Sequence, residues 1–405
     1  MRSLPRWLIA SICGALIVTI AMGVRQTFGV FLVPLSEAFG LGREQVGLTL
    51  AIQNLVFGIA TPFAGALADR YGGQRLLAVG AMVYALGVAA VTIAASPLLL
   101  LLALGVVVGL AQSATTFAPV FGVIGQLAPP ARRSFAFGLV TAGGSVGMFA
   151  FVPLAQLLLA ALGWQGALLA LAAVMVLPAL LTPALGAPAS RAGAAANAPS
   201  GQQVIALALR HPGYALLFAG FFVCGFHVAF IATHLPAYLV DSGIGATVAA
   251  VALALIGLGN IAGSYLFGAL GDCTVKHQVL SGIYFGRAII FVLFLIVPLT
   301  DVSALAFGLS IGVLWLGTVP LTSGLVAQLF GTRYLDMLYG FVFFGHQIGA
   351  FLGAWMGGAV YDRTGSYLPV WLAALVLSLA ATVIHWLIDD RPARQVVEQL
   401  VRGRG

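Results

Sequence analysis

The sequence predicts an all-α integral membrane protein, with twelve transmembrane helices in two pseudo-symmetric six-helix bundles. Three observations predict it. The composition is 61% hydrophobic and only 7% charged over 405 residues, with a mean hydropathy of +1.09, which suits lipid rather than water. The long apolar runs, the 51 glycines and the lack of short alternating segments favour helices over a β-barrel. The third observation is a duplication. Gly23-Val-Arg-Gln-Thr-Phe-Gly-Val-Phe-Leu-Val-Pro34 returns as Gly225-Phe-His-Val-Ala-Phe-Ile-Ala-Thr-His-Leu-Pro236, so that Gly23, Phe28 and Pro34 each find a match 202 positions on. Arg25 falls on His227.

In chain order, the apolar runs place spans at 7–35, 46–67, 76–95, 97–126, 135–161 and 164–185. A second set follows at 212–240, 246–270, 278–298, 303–329, 336–360 and 367–388. The first run begins behind Arg2 and Arg6 as a signal peptide would, but it is too long and lacks a persuasive cleavage site, so it reads as a retained helix. These runs divide the chain into an N-terminal bundle (1–185), a linker (186–210), a C-terminal bundle (211–390) and a tail (391–405). The linker is rich in Ala, Gly, Pro and Ser, as a flexible cytoplasmic connection would be. Cys13, Cys224 and Cys273 form neither a disulfide framework nor a metal spacing, and no cofactor is expected.

Charge placement gives the expected orientation. With the N-terminus inside, 14 of the 18 basic residues fall in cytoplasmic segments, and only Arg43 and Arg363 fall outside. That bias follows the positive-inside rule and puts both termini in the cytoplasm. It accounts for the net charge of +7 as orientation and contact with anionic lipid, without nucleic acid. The expected location is a bacterial inner membrane, with the protein acting as a monomer.

The two remaining basic residues, Arg25 and Arg287, lie within spans, while all 11 acids fall in loops, tails or helix ends. A charge near the bilayer centre costs about 2.5–3.5 kcal/mol on insertion scales and usually faces a protein interior or an aqueous cavity. With no carboxylate expected beside them in the membrane, the simplest partner is an anion arriving from solution.

Between spans two and three, Gly65-Ala-Leu-Ala-Asp-Arg-Tyr-Gly-Gly-Gln-Arg75 resembles the signature loop of the major facilitator superfamily. A degenerate copy, Gly268-Ala-Leu-Gly-Asp-Cys-Thr-Val-Lys276, follows span eight, 203 positions on. The resemblance covers essentially the whole chain and implies that fold. It makes Asp69, Arg70, Arg75 and, in the copy, Asp272 residues of a conformational gate, with spans one, two, four, five and their repeats lining a central cavity. The first span is most similar to the monocarboxylate and oxalate-exchanger branch, in which membrane arginines bind carboxylates. That branch usually carries its second arginine in span eight, where this chain has Gly263 and Ser264; here it is Arg287, in span nine. An arginine in span four and a Gly-Pro pair in span five, features of other branches, are absent, which disfavours drug efflux.

The expected function is therefore secondary active or facilitative transport of a small organic anion, a carboxylate above all, by alternating access. The alternative is efflux of a neutral or cationic drug-like compound. Arg25 is the leading substrate ligand, the alternative being that it only braces backbone carbonyls. Arg287, His227, His346, Gln112, Asn54 and Trp315 are further candidates for the binding site. His227, His234 and His346 are the candidates for proton coupling, because no mid-span acid can titrate. No nucleotide-binding loop and no catalytic constellation is present, so the chain reads as a transporter driven by gradients and not as an enzyme.

Overall fold

The computed structural model describes residues 5–129, 132–185, 205–206, 208–330 and 335–391. Most of the expected linker and tail lie outside the described residues, as do the side chains of Asp69 and Asp272. The described residues form twelve membrane-length helices. The first bundle holds α1 (Arg6–Phe39), α2 (Arg43–Tyr71), α3 (Gly73–Val91), α4 (Pro97–Ile124), α5 (133–162) and α6 (164–185). The second holds α7 (Pro212–Asp241), α8 (Ala246–Cys273), α9 (Lys276–Ile296), α10 (Asp301–Phe330), α11 (Leu335–Thr364) and α12 (Leu368–Trp386). Several helices run past the apolar stretch that announces them, because their charged ends sit beyond the hydrocarbon.

The sequence sets the breaks. Gly163, at φ 68° and ψ 177°, separates α5 from α6, a left-handed conformation that glycine adopts without a Cβ penalty. Its repeat partner Gly365 has φ 68°, and the turn after α1 at Gly40 (φ 60°) is matched by Gly243 (φ 89°) after α7. The duplication read in the sequence thus extends to turn geometry. Pro34 lacks the N–H that would bond Val30, and α1 tightens to a 3-10 turn over Phe28–Phe31 just before it. Both α4 and α10 are also interrupted. The first breaks at Thr116 (φ −95°, ψ −161°), the second across residues 314–317.

Within each bundle the closest packing joins α1 to α5 and α7 to α11. A Cβ on Gly143 or Gly147 would strike the carbonyls of Ala15 or Thr19, and one on Gly349 or Gly353 those of Phe222 or Phe226. Small residues that let backbones approach are how helices associate in lipid, where apolar burial alone drives little. Between the bundles two seams cross. In one, α2 packs on α11, with Gly58 against the Gln347 side chain and Gln347 Nε2 donating to Asn54 O at 3.1 Å. In the other, α5 packs on α8, with Gly257 against Ser145 O and Asn260 Nδ2 donating to Ser145 Oγ at 3.0 Å.

Candidate functional site

The crossing seams leave a cavity of about 2210 Å³ between the bundles. Its walls come mainly from α1, α2, α4 and α5 and from their counterparts α7, α8, α10 and α11. This is the wall set the family resemblance implies. The cavity runs to the end that carries Arg70, Tyr71 and Arg75. It is larger than the roughly 300–1,000 Å³ typical of a pocket closed on a small ligand, so it is an open vestibule, and its head is the region farthest from the mouth at that end.

Arg25 stands in that region. It is partly exposed and lines the cavity. One guanidinium nitrogen donates to Asn54 Oδ1 at 2.6 Å, and the guanidinium lies over the Phe57 ring, 5.0 Å from its centroid. Asn54 is itself oriented by donating Nδ2 to Leu50 O at 2.9 Å. Among the described residues Arg25 forms no ion pair, and among those that line the cavity none is Asp or Glu. One fork of the guanidinium is fixed and the remaining N–H groups face unclaimed space. A planar cation held this way matches a carboxylate.

Asn54, His346 and Trp315 also line the cavity. His346 bonds Gln347 Oε1 through Nδ1 at 3.0 Å and stacks on Phe343, with centroids 5.5 Å apart and planes 9° apart. The mouth arginines are exposed, and Arg70 lies over the Tyr71 ring at 5.2 Å.

Four expectations need correction. Arg287 is fully buried and does not line the cavity. Its Nε and one terminal nitrogen donate to Leu314 O at 3.1 and 2.7 Å, and that terminal nitrogen reaches Trp315 O at 2.5 Å. The interruption of α10 frees these carbonyls from helix bonding, and a cation suits the C-terminal end of a broken helix. Asn260 serves the same break from the other side, accepting from Leu316 N at 3.0 Å. His227 is not a cavity residue either. It donates Nε2–H to Ala374 O at 2.9 Å, which leaves Nδ1 to accept from Arg287 at 3.4 Å. His234, away from the cavity, donates to Ala354 O at 2.7 Å. Gln112 is buried between α3 and α4, away from the cavity, where its Nε2 donates to the Tyr84 hydroxyl at 3.3 Å. Of the three histidines expected to carry a proton, only His346 reaches the cavity.

The end opposite the mouth is closed by a polar lock that the sequence reading missed. Arg43, at the start of α2, pairs in a fork with Asp241 at the end of α7. It also donates to the Tyr367 hydroxyl at 3.0 Å and lies 3.9 Å over the Tyr361 ring. Asp362 of α11 accepts from the backbone N–H groups of Arg43 and Glu44 at 3.0 and 2.7 Å, where the α2 dipole favours a carboxylate. Trp355 donates to Glu44 at 3.2 Å, and Arg363 lies 3.4 Å from the same carboxylate. The available signal was that Arg43 and Arg363, the only basic residues that the charge pattern puts outside, share their segments with Glu44 and Asp362.

Comparison with known proteins agrees with this architecture. The chain is 28% identical over 407 residues to monocarboxylate transporter 13 of Rattus norvegicus, covering 94% of this chain and 90% of that one. It is 24% identical to the uncharacterized MFS-type transporter YcxA of Bacillus subtilis (strain 168), covering 98% and 99%. Monocarboxylate transporter 11 of Homo sapiens matches at 27%, covering 94% and 82%. Among solved structures, a bacterial homolog of the human lysosomal transporter Spinster, in an inward-facing and occupied conformation, superposes with a TM-score of 0.73 at 16% identity, covering 99% and 98%. The profile of the Major Facilitator Superfamily matches residues 14–333. The chain belongs to the Major Facilitator Superfamily, whose members are integral membrane transporters and not enzymes.

Proposed function

We propose that this transporter moves a monocarboxylate by alternating access, and that Arg25 holds the carboxylate. The observation that carries the reading is Arg25 itself, a cation in the cavity wall with one donor fixed by Asn54, and, among the described residues, no ion pair and no acid lining the cavity. A desolvated cation without a counter-ion is unfavourable, and a bound carboxylate relieves it with charge-assisted bonds. The relatives named monocarboxylate transporters support the same substrate class.

The positive-inside bias assigns the mouth at Arg70 and Arg75 to the cytoplasm, which makes this conformation open inward. The lock of Arg43, Asp241 and Asp362 then seals the outer side, and it must break for the cavity to open outward. The seams at Asn54–Gln347 and Ser145–Asn260 serve as the pivot. Asp69, Arg70, Arg75 and Asp272 act as the inner gate, forming contacts between bundles once the mouth closes. The substrate biases the equilibrium only by its differential affinity for the two states.

Uptake of labelled acetate and lactate into proteoliposomes, compared with a panel of cationic and neutral drugs, tests the reading. Carboxylate flux that disappears in Arg25→Gln is expected. Flux of drugs without flux of carboxylates would contradict it.

A further inference from the structure

The cavity does more than present a cation. Phe57, beneath the Arg25 guanidinium, meets Phe343 of α11 edge to face, with centroids 5.9 Å apart and planes at 84°. Phe343 stacks on His346, and His346 lies 5.0 Å from the Phe221 ring of α7. All four side chains line the cavity. They form an aromatic shelf that begins at the cation on one bundle and crosses to the other. Phe57, His346 and Phe221 are buried and Phe343 is partly exposed, so the shelf offers its surface to the cavity mainly through Phe343, which a small hydroxy acid would leave wetted. It is a good match for a ring, since aromatic pairs gain from edge and offset contacts beyond the area they bury.

The charge count narrows the ligand further. Among the described residues Arg25 is the sole arginine or lysine at the head of the cavity, because Arg287 is sealed behind the α10 break by Leu314 O and Trp315 O. Arg70 and Arg75 sit at the mouth, at the far end of α2 and the start of α3. A second carboxylate on the ligand would therefore rest among apolar and amide side chains with no counter-charge, and burying it unpaired is costly.

Resting on the carboxylate reading, we infer that the site is built for a monoanion with a planar apolar body, an aryl or arylalkyl monocarboxylate. Its carboxylate sits on Arg25 and its ring on the Phe57–Phe343–His346 shelf. The ring then touches both bundles at once, so occupancy is read directly by the interface that rearranges.

Titration calorimetry on the purified full-length protein tests this with four probes: phenylacetate, acetate, lactate and succinate. Phenylacetate is expected to bind at least about tenfold more tightly than acetate or lactate, a difference of roughly 1.4 kcal/mol, and succinate no more tightly than acetate. Phe343→Leu and, independently, Phe57→Leu should each bring the phenylacetate-to-acetate ratio towards one, with thermal unfolding recorded for both variants. Equal affinities for lactate and phenylacetate, or succinate as the tightest probe, would overturn the inference while leaving the carboxylate reading standing. If none of the four binds while benzylamine does, the carboxylate reading itself fails, and this inference with it.

Discussion

Arg25 and Arg287 are the only two basic residues read as lying within the membrane spans, and the two bundles use them in opposite ways. In the first bundle the guanidinium leans on one side-chain amide and one aromatic face, with no further hydrogen bond among the described residues. In the second it is consumed, with two freed carbonyls, the His227 ring and the Cys224 sulfur all within its reach. The lesson is that a charge in a membrane span is a candidate for binding only when the protein leaves it under-satisfied. The duplication sharpens the point. His227 occupies the Arg25 position of the repeat, yet it turns toward α12 and away from the cavity.

The largest effect expected from breaking this contrast is on stability. Arg287→Gln strips the α10 break of its cap and leaves buried carbonyls unpaired, at about 3 kcal/mol or more. Thermal unfolding in detergent should show a clear drop, and an unchanged transition would contradict the brace. Asn260→Ala removes the partner of Leu316 N and Ser145 on the other side of the same break. It should cost roughly 1–2 kcal/mol, measured the same way, with carboxylate affinity falling far less than in an Arg25 variant. Asp241→Asn touches neither arginine. It removes the fork with Arg43 at the outer lock, a partly exposed pair worth about 1 kcal/mol or less. The expected result is a shift of up to roughly fivefold toward the outward-open state, seen as slower labelling of a cysteine at Thr141 on the cavity wall. Asp69→Asn, at the signature loop, should slow transport measured in proteoliposomes with little change in calorimetric affinity, because the proposed inner gate lies far from Arg25 in sequence.

Much of the fold was legible because lipid imposes a coarse rule on sequence. Apolar length fixes the spans, and the repeat of Gly23 and Pro34 at Gly225 and Pro236 gives the two bundles. Arg25 and Asn54 were legible for a similar reason, since a polar residue in a span must face something. The rest depended on facts that pattern alone does not carry. The break in α10 falls in Leu314-Trp-Leu-Gly317, where Gly317 and Pro320, which lacks the N–H that would bond Leu316 O, mark a weak point in the helix, but nothing in the pattern tied Arg287 to it. Its place on the peripheral span nine was the available hint. Gln112 looked like cavity lining because α4 borders the cavity, but its position on the helix turns it toward Tyr84. The outer lock was hidden because Arg43, Asp241 and Asp362, 198 and 121 positions apart, each resemble an ordinary solvated loop charge until the fold brings them together.

The central claim is that Arg25 is free to bind while Arg287 is not. Titration calorimetry of a carboxylate on monodisperse Arg25→Gln protein, with its thermal unfolding recorded alongside, tests it most directly. The account predicts a variant that unfolds close to the parent temperature and has lost carboxylate binding, with Arg25→Lys restoring it only in part because lysine keeps the charge but lacks the planar fork. Near-parental affinity in a well-folded Arg25→Gln protein would contradict it.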